Sequence, residues 1–163
     1  MIVTFETLYE ILRREKVRPE LQSLDNDFIK NTTNYMNEKV AILSSQKEKE
    51  SVFSSQEVER TEKQIENIKR IIKELYLIRE TKIIQIAMSS ARSNTQINVQ
   101  NLIPEEKEFY NKIRNILVKN KELILDPLLE GKAIEKEKPK VIKNEENLLK
   151  LVRFITPVPQ FVG

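Results

Sequence analysis

Residues 54–87 read SSQEVERTEKQIENIKRIIKELYLIRETKIIQIA. Val58, Ile65, Ile68, Ile72, Leu75, Ile83 and Ile86 recur in this stretch mostly at steps of three or four residues, or multiples of them, as far as Ala87. That is the period of an amphipathic helix. Ser54 followed by Glu57 has the spacing of a capping box and sets the expected start. No Pro or Gly interrupts the chain from Ser54 to Asn101. A helix of roughly 35 residues is about 50 Å long, enough to cross a whole small domain. Leu77, Ile78 and Ile84 lie off the main stripe, so the helix is apolar around much of its girth and is expected to be buried on several sides. Part of that burial is expected to come from another chain. Ile65, Ile68, Ile72 and Leu75 are the expected subunit-interface residues, and Leu75→Asp is expected to break assembly by burying an unpaired charge.

The flanking segments follow the same period. Phe5, Leu8, Tyr9 and Leu12 form a short apolar stripe with Thr4 as N-cap. Pro19 and the polar residues near Asp25 interrupt it. A second helix is expected from about Asp25, its face traced by Phe28, Ile29, Thr32, Tyr35, Met36, Val40 and Leu43. Ser44–Ser55 reads as a loop or a frayed helix end. Asn94–Asn101 breaks the long pattern. Pro104, with Glu105, Glu106 and Glu108, then opens a fourth helix with the charge that a helix N-terminus favours. Its apolar face is Phe109, Ile113, Ile116 and Leu117, and Pro127 is expected to stop it after about Leu125.

Beyond that point the composition changes. Residues 126–147 read as a charged linker, with Gly131, Pro139 and a mixed Lys/Glu run that leaves little to bury. Residues 148–163 are apolar again, with Pro157 and Pro159 among them, and read as a short β element. Two short strands are marginal alone. Val152, Phe154, Ile155, Val158 and Phe161 are therefore expected to dock on this chain or on a partner. The fold class that follows is all-α: a helical bundle over residues 1–125, a charged linker over 126–147 and a short C-terminal β element over 148–163.

Composition narrows the chemistry. The 163 residues contain no Cys and no His, which excludes zinc sites of the Cys/His kind and Cys–His or Ser–His nucleophile pairs. The only glycines are Gly131 and Gly163, too few for a phosphate-cradling loop. No apolar run approaches a membrane span, and Met1–Glu10 has no signal-peptide core. The chain is expected to be cytoplasmic, non-enzymatic and without cofactor or small-molecule substrate.

The charged residues offer two readings. Glu57, Glu59, Glu62 and Glu66 alternate with Arg60, Lys63 and Lys69 in the manner of a solvated helix face rather than a carboxylate active site. Arg13, Arg14, Lys16 and Arg18 form the densest basic cluster. Either they contact a phosphate or an acidic partner, or they simply sit well near a helix C-terminus. The net charge is +3, with both signs interspersed along most of the chain, so any DNA contact is expected to be weak or indirect.

Three segments together resemble one family. Glu74-Leu75-Tyr76-Leu77-Ile78-Arg79-Glu80-Thr81-Lys82-Ile83, followed by Ile86-Ala87, is similar to the long-helix signature of GINS subunits. Asn101-Leu102-Ile103-Pro104-Glu105-Glu106, with Phe109-Tyr110, is similar to that family's entry into its last helix. Val152-Arg153-Phe154-Ile155-Thr156-Pro157-Val158-Pro159-Gln160-Phe161-Val162-Gly163 resembles the opening of its small β-rich B domain, which in the family continues for dozens of residues more. The order, helical A domain first and B domain last, resembles one class of archaeal subunit. The resemblance implies a non-catalytic scaffold for DNA replication. Its implied partners are a sister GINS subunit, in a 2:2 heterotetramer, the MCM helicase and a RecJ-like protein. Two rivals are a helical DNA-binding protein using the Arg13–Arg18 cluster and a generic coiled-coil adaptor. The absence of a strict heptad counts against the second.

Overall fold

A computed structural model describes residues 2–48, 52–93 and 99–133. Thr4 caps the first helix, α1 (Phe5–Val17), through a reciprocal pair: the Thr7 N–H donates to Thr4 Oγ1 at 3.2 Å and the Thr4 N–H to Thr7 Oγ1 at 2.7 Å. Threonine here does the work that Glu or Gln does in the usual capping box. Helix α2 (Phe28–Lys47) starts after a turn in which Asp25 Oδ1 accepts the Asp27 N–H at 2.9 Å. It continues through Ser44, Ser45 and Gln46, so the first part of the expected loop is helical. The Ser44 and Ser45 hydroxyls bond back to carbonyls of the preceding turn, and neither residue breaks the helix.

Helix α3 runs from Val52 to Ser93, 42 residues or about 63 Å, longer than the periodicity alone predicts. It touches each of α1, α2 and the fourth helix, α4 (Pro104–Asn120). One stripe of α3 therefore serves two cores. In the first, Ile68, Ile71 and Leu75 meet Leu8, Ile11 and Leu12 of α1 and Phe28 of α2. In the second, Ile83 and Ala87 meet Leu21, Leu102 and Tyr110. Among the described residues the architecture is all-α, as the periodicity predicts.

Pro127 does not end the last helix. A π-helical turn (Lys121–Leu125) follows α4, and α5 (Asp126–Leu129) continues from it with Pro127 in its first turn. The Asp126 N–H reaches back to the Lys121 carbonyl, and this wider turn accommodates a residue that has no N–H and whose ring crowds the preceding turn. The actual stop is Gly131. Its φ of +68° suits glycine, and the Lys132 and Gly131 N–H groups return to the Pro127 and Leu128 carbonyls at 2.9 and 3.3 Å, a Schellman end. The first residues of the expected linker are thus helical. Residues 134–163, with the remainder of that linker and the expected β element, lie outside the described residues.

Candidate interaction surfaces

Between the two apolar cores lies a buried ionic node. Arg79 occupies the inward stripe of α3, one turn from Leu75 and one turn from Ile83. Its Nε and Nη2 donate to Glu106 at 2.7 and 2.8 Å, and its Nη1 donates to Glu15 Oε2 at 2.9 Å. Nη1 and Nη2 also donate to the Gln22 and Asn101 carbonyls at 2.8 and 3.2 Å. Lys82 Nζ approaches the other Glu15 oxygen at 2.6 Å and donates to the Arg18 carbonyl at 2.7 Å. Glu106 Oε2 additionally accepts the Ile103 N–H, closing the start of α4. Burial works against the Arg79 charge, but the Glu106 and Glu15 carboxylates outweigh it and hold the guanidinium above its ordinary pKa. With every charge partnered, the node has no free group to offer a substrate. Its role is to lock α1, the 18–22 segment, α3 and α4 in one arrangement.

Beside the node, α2, α3 and the start of α4 leave an apolar groove of about 530 Å³. Leu75, Ile83 and Ile103 form its floor. Leu24, Ile29, Met36, Ile72, Tyr76 and Phe109 form walls that solvent reaches. Its polar edge includes Glu80, Glu105 and Glu106. Glu80 accepts the Tyr76 hydroxyl at 3.0 Å, which raises the Tyr76 pKa. Thr32 also lines the groove, but its hydroxyl oxygen is buried away from it, without a hydrogen-bond partner.

A second apolar surface lies along the far end of the last helix. Ile116, Leu123, Ile124, Leu125, Leu128 and Leu129 are all exposed there. On α1 the exposed large apolar side chains are Phe5, Tyr9 and Val17.

The expected interface set is largely consumed inside the chain. Ile65, Ile68 and Leu75 are only 5, 1 and 3% exposed, so they pack this chain's own core and leave little area for a partner. Ile72 alone stays half-buried, in the groove wall. The reason is the length of α3: three other helices pack along it, so its stripe is covered without help. The expected effect of Leu75→Asp changes accordingly, because a charge at Leu75 disrupts the monomer before it can test an interface. Of the basic cluster, Lys16 pairs with Glu74 of α3 at 2.6 Å and Arg14 lies 4.0 Å from Glu10. Arg13 and Arg18 are exposed. The tail residues Val152, Phe154, Ile155, Val158 and Phe161 lie outside the described residues.

Periodicity reasoning overlooked the node, although it left a trace. Arg79 falls four residues from both Leu75 and Ile83, and Glu15 falls three and four residues from Leu12 and Ile11. A charge on an apolar stripe needs a buried counter-charge. Here the two stripes supply each other's.

No helix among the described residues is long and apolar enough to cross a membrane. Neither a curated protein nor a solved structure matches the chain. The profile of the GINS complex protein helical bundle domain does match, over residues 6–124. That span runs from the first turn of α1 to the π turn after α4 and contains Glu15, Arg79, Lys82 and Glu106, the four charged residues of the node. This chain belongs to the GINS complex protein helical bundle family.

Proposed function

We propose that the chain is a non-catalytic scaffold subunit of the replicative GINS complex, of the archaeal class with the helical domain first. It pairs with a sister subunit in a 2:2 heterotetramer, and the assembly bridges the MCM helicase and a RecJ-like protein. The observation that carries this reading is the exposed apolar run Ile116–Leu129 on a bundle whose own core is complete. Contiguous exposed apolar surface of this kind marks an association site. Leu77, on the outer side of α3, and Val40 and Ile42 on α2 extend the apolar area available to a partner.

The chemistry of the described residues supports association rather than catalysis. The one dense cluster of buried charges is internally neutralised. Direct DNA binding through the α1 basic cluster is the weaker reading, because Lys16 and Arg14 already have carboxylate neighbours in this chain. A coiled-coil adaptor is weaker still, since the stripe of α3 is covered by three helices of the same chain.

The test is co-purification from source cells followed by native mass spectrometry. Recovery of a second small helical subunit in equal amount, with MCM and a RecJ-like protein dissociating at higher salt, is the expected result. A lone homo-oligomer without replication proteins would overturn the reading.

A further inference from the structure

We infer that the apolar groove between α2, α3 and α4 is the docking site of this chain's own C-terminal segment, residues 148–162.

The groove's shape selects the class of occupant. A subunit face of standard size covers about 800 Å² and is broadly flat, whereas a concave space of about 530 Å³ has the size of a ligand pocket and takes a few side chains from a narrow segment. Its walls supply Ile29, Met36, Ile72, Tyr76 and Phe109 to cover apolar groups.

Residues 148–162 match these demands. They read LLKLVRFITPVPQFV, with Lys150 and Arg153 as the only charges. The groove edge is acidic: Glu105 is exposed, Glu80 is half-exposed, and Glu106 is occupied by Arg79. Two cations and no acid on one side thus face a carboxylate edge on the other.

The intervening chain is long enough. The last helix carries the chain from the groove at Ile103–Phe109 to Leu129, about 35 Å away at 1.5 Å per residue. Fully extended, residues 134–147 span up to about 45–50 Å, so the segment reaches back to the groove without strain.

The chain has no Cys, so Thr156→Cys installs a single site for a nitroxide label on the full chain. Methyl NMR then reads which side chains lie near it. Docking within the chain predicts that the Ile29, Met36 and Ile72 methyl signals lose most of their intensity while those of Ile124 and Leu128 keep theirs. It also predicts no loss when labelled chain lacking the isotope is mixed with isotope-labelled chain lacking the nitroxide. Reversing Glu80 and Glu105 to Lys should restore the groove signals, and adding Arg153→Glu with Lys150→Glu should quench them again. Unaffected groove signals in the labelled chain would overturn the inference. So would quenching seen in the mixed sample, which would assign the groove to a second copy. Native mass spectrometry of the same labelled chain with its sister subunit reads assembly separately, so a failure of docking is distinguishable from a failure of the scaffold reading.

Discussion

Arg79 Nη1 and Glu15 Oε2 stand 2.9 Å apart although 64 residues separate them in the chain, and both side chains are sealed from solvent. The pair joins α1 to α3 at the level where the two apolar cores meet. Removing one member of such a pair leaves a charge buried without compensation.

Arg79→Met should therefore destabilise the isolated chain by about 3–5 kcal/mol, measured as a lower urea midpoint at unchanged slope. Arg79→Lys should recover only part of this, because an ammonium cannot fork onto Glu106 while also reaching Glu15. Glu15→Gln made in the Arg79→Met background should cost less than it does alone, with a coupling of about 0.5–3 kcal/mol. Strict additivity would show that the node is not one unit.

Ile68 is 1% exposed, in the core shared by α1, α2 and α3. Ile68→Ala should lower the stability of the isolated chain by about 2–5 kcal/mol. Ile29→Ala, in the wall of the groove, should cost less, because Ile29 is only partly covered by the helices around it. Equal losses would mean that the groove is as closed as the core.

Ile124→Glu combined with Leu128→Glu alters side chains that already face solvent. The thermal midpoint of the isolated chain should stay close to that of the parent, while the mass of the assembled complex falls to that of separate subunits. Retention of full complex mass would remove this surface from the interface.

Thr4→Ala removes an acceptor for the Thr7 N–H and should cost about 0.5–2 kcal/mol. The loss should appear first as faster amide exchange in the first turn of α1. Thr4→Ser keeps the acceptor and should remain near the parent.

Two phenols should ionise late. The Tyr76 hydroxyl bonded to Glu80, and the burial of Tyr35 against a backbone bond with Phe5 that pulls the other way, both raise the pKa above the ordinary value of about 10. A raised folded-state value means that the contribution to stability is complete below the unfolded value and fades as pH rises through the folded one. Tyr76→Phe should remove one late component from the alkaline absorbance titration and flatten the loss of stability above about pH 10. Tyr35→Phe should do the same independently.

The helices are legible in local spacing. The three- and four-residue spacing of Ile and Leu, the Thr4 cap, and Pro104 followed by Glu105 and Glu106 are local features. Helix identity is set locally, so α1 to α4 were legible, as was the family resemblance carried by the Leu75–Ile83 and Asn101–Glu106 stretches. What each apolar face touches depends on how the helices pack. Periodicity shows that Ile65, Ile68 and Leu75 share a side of α3, but not whether a helix of this chain or of another covers that side. The answer depends on how α1, α2 and α4 lie along α3. The same holds for Pro127, whose effect as a helix stop was cancelled by a π turn that local spacing does not reveal. It holds most of all for Arg79, whose place among apolar residues makes sense only once Glu15 and Glu106 arrive from two other helices. Pairings between distant positions are properties of packing, and a one-dimensional pattern leaves them open.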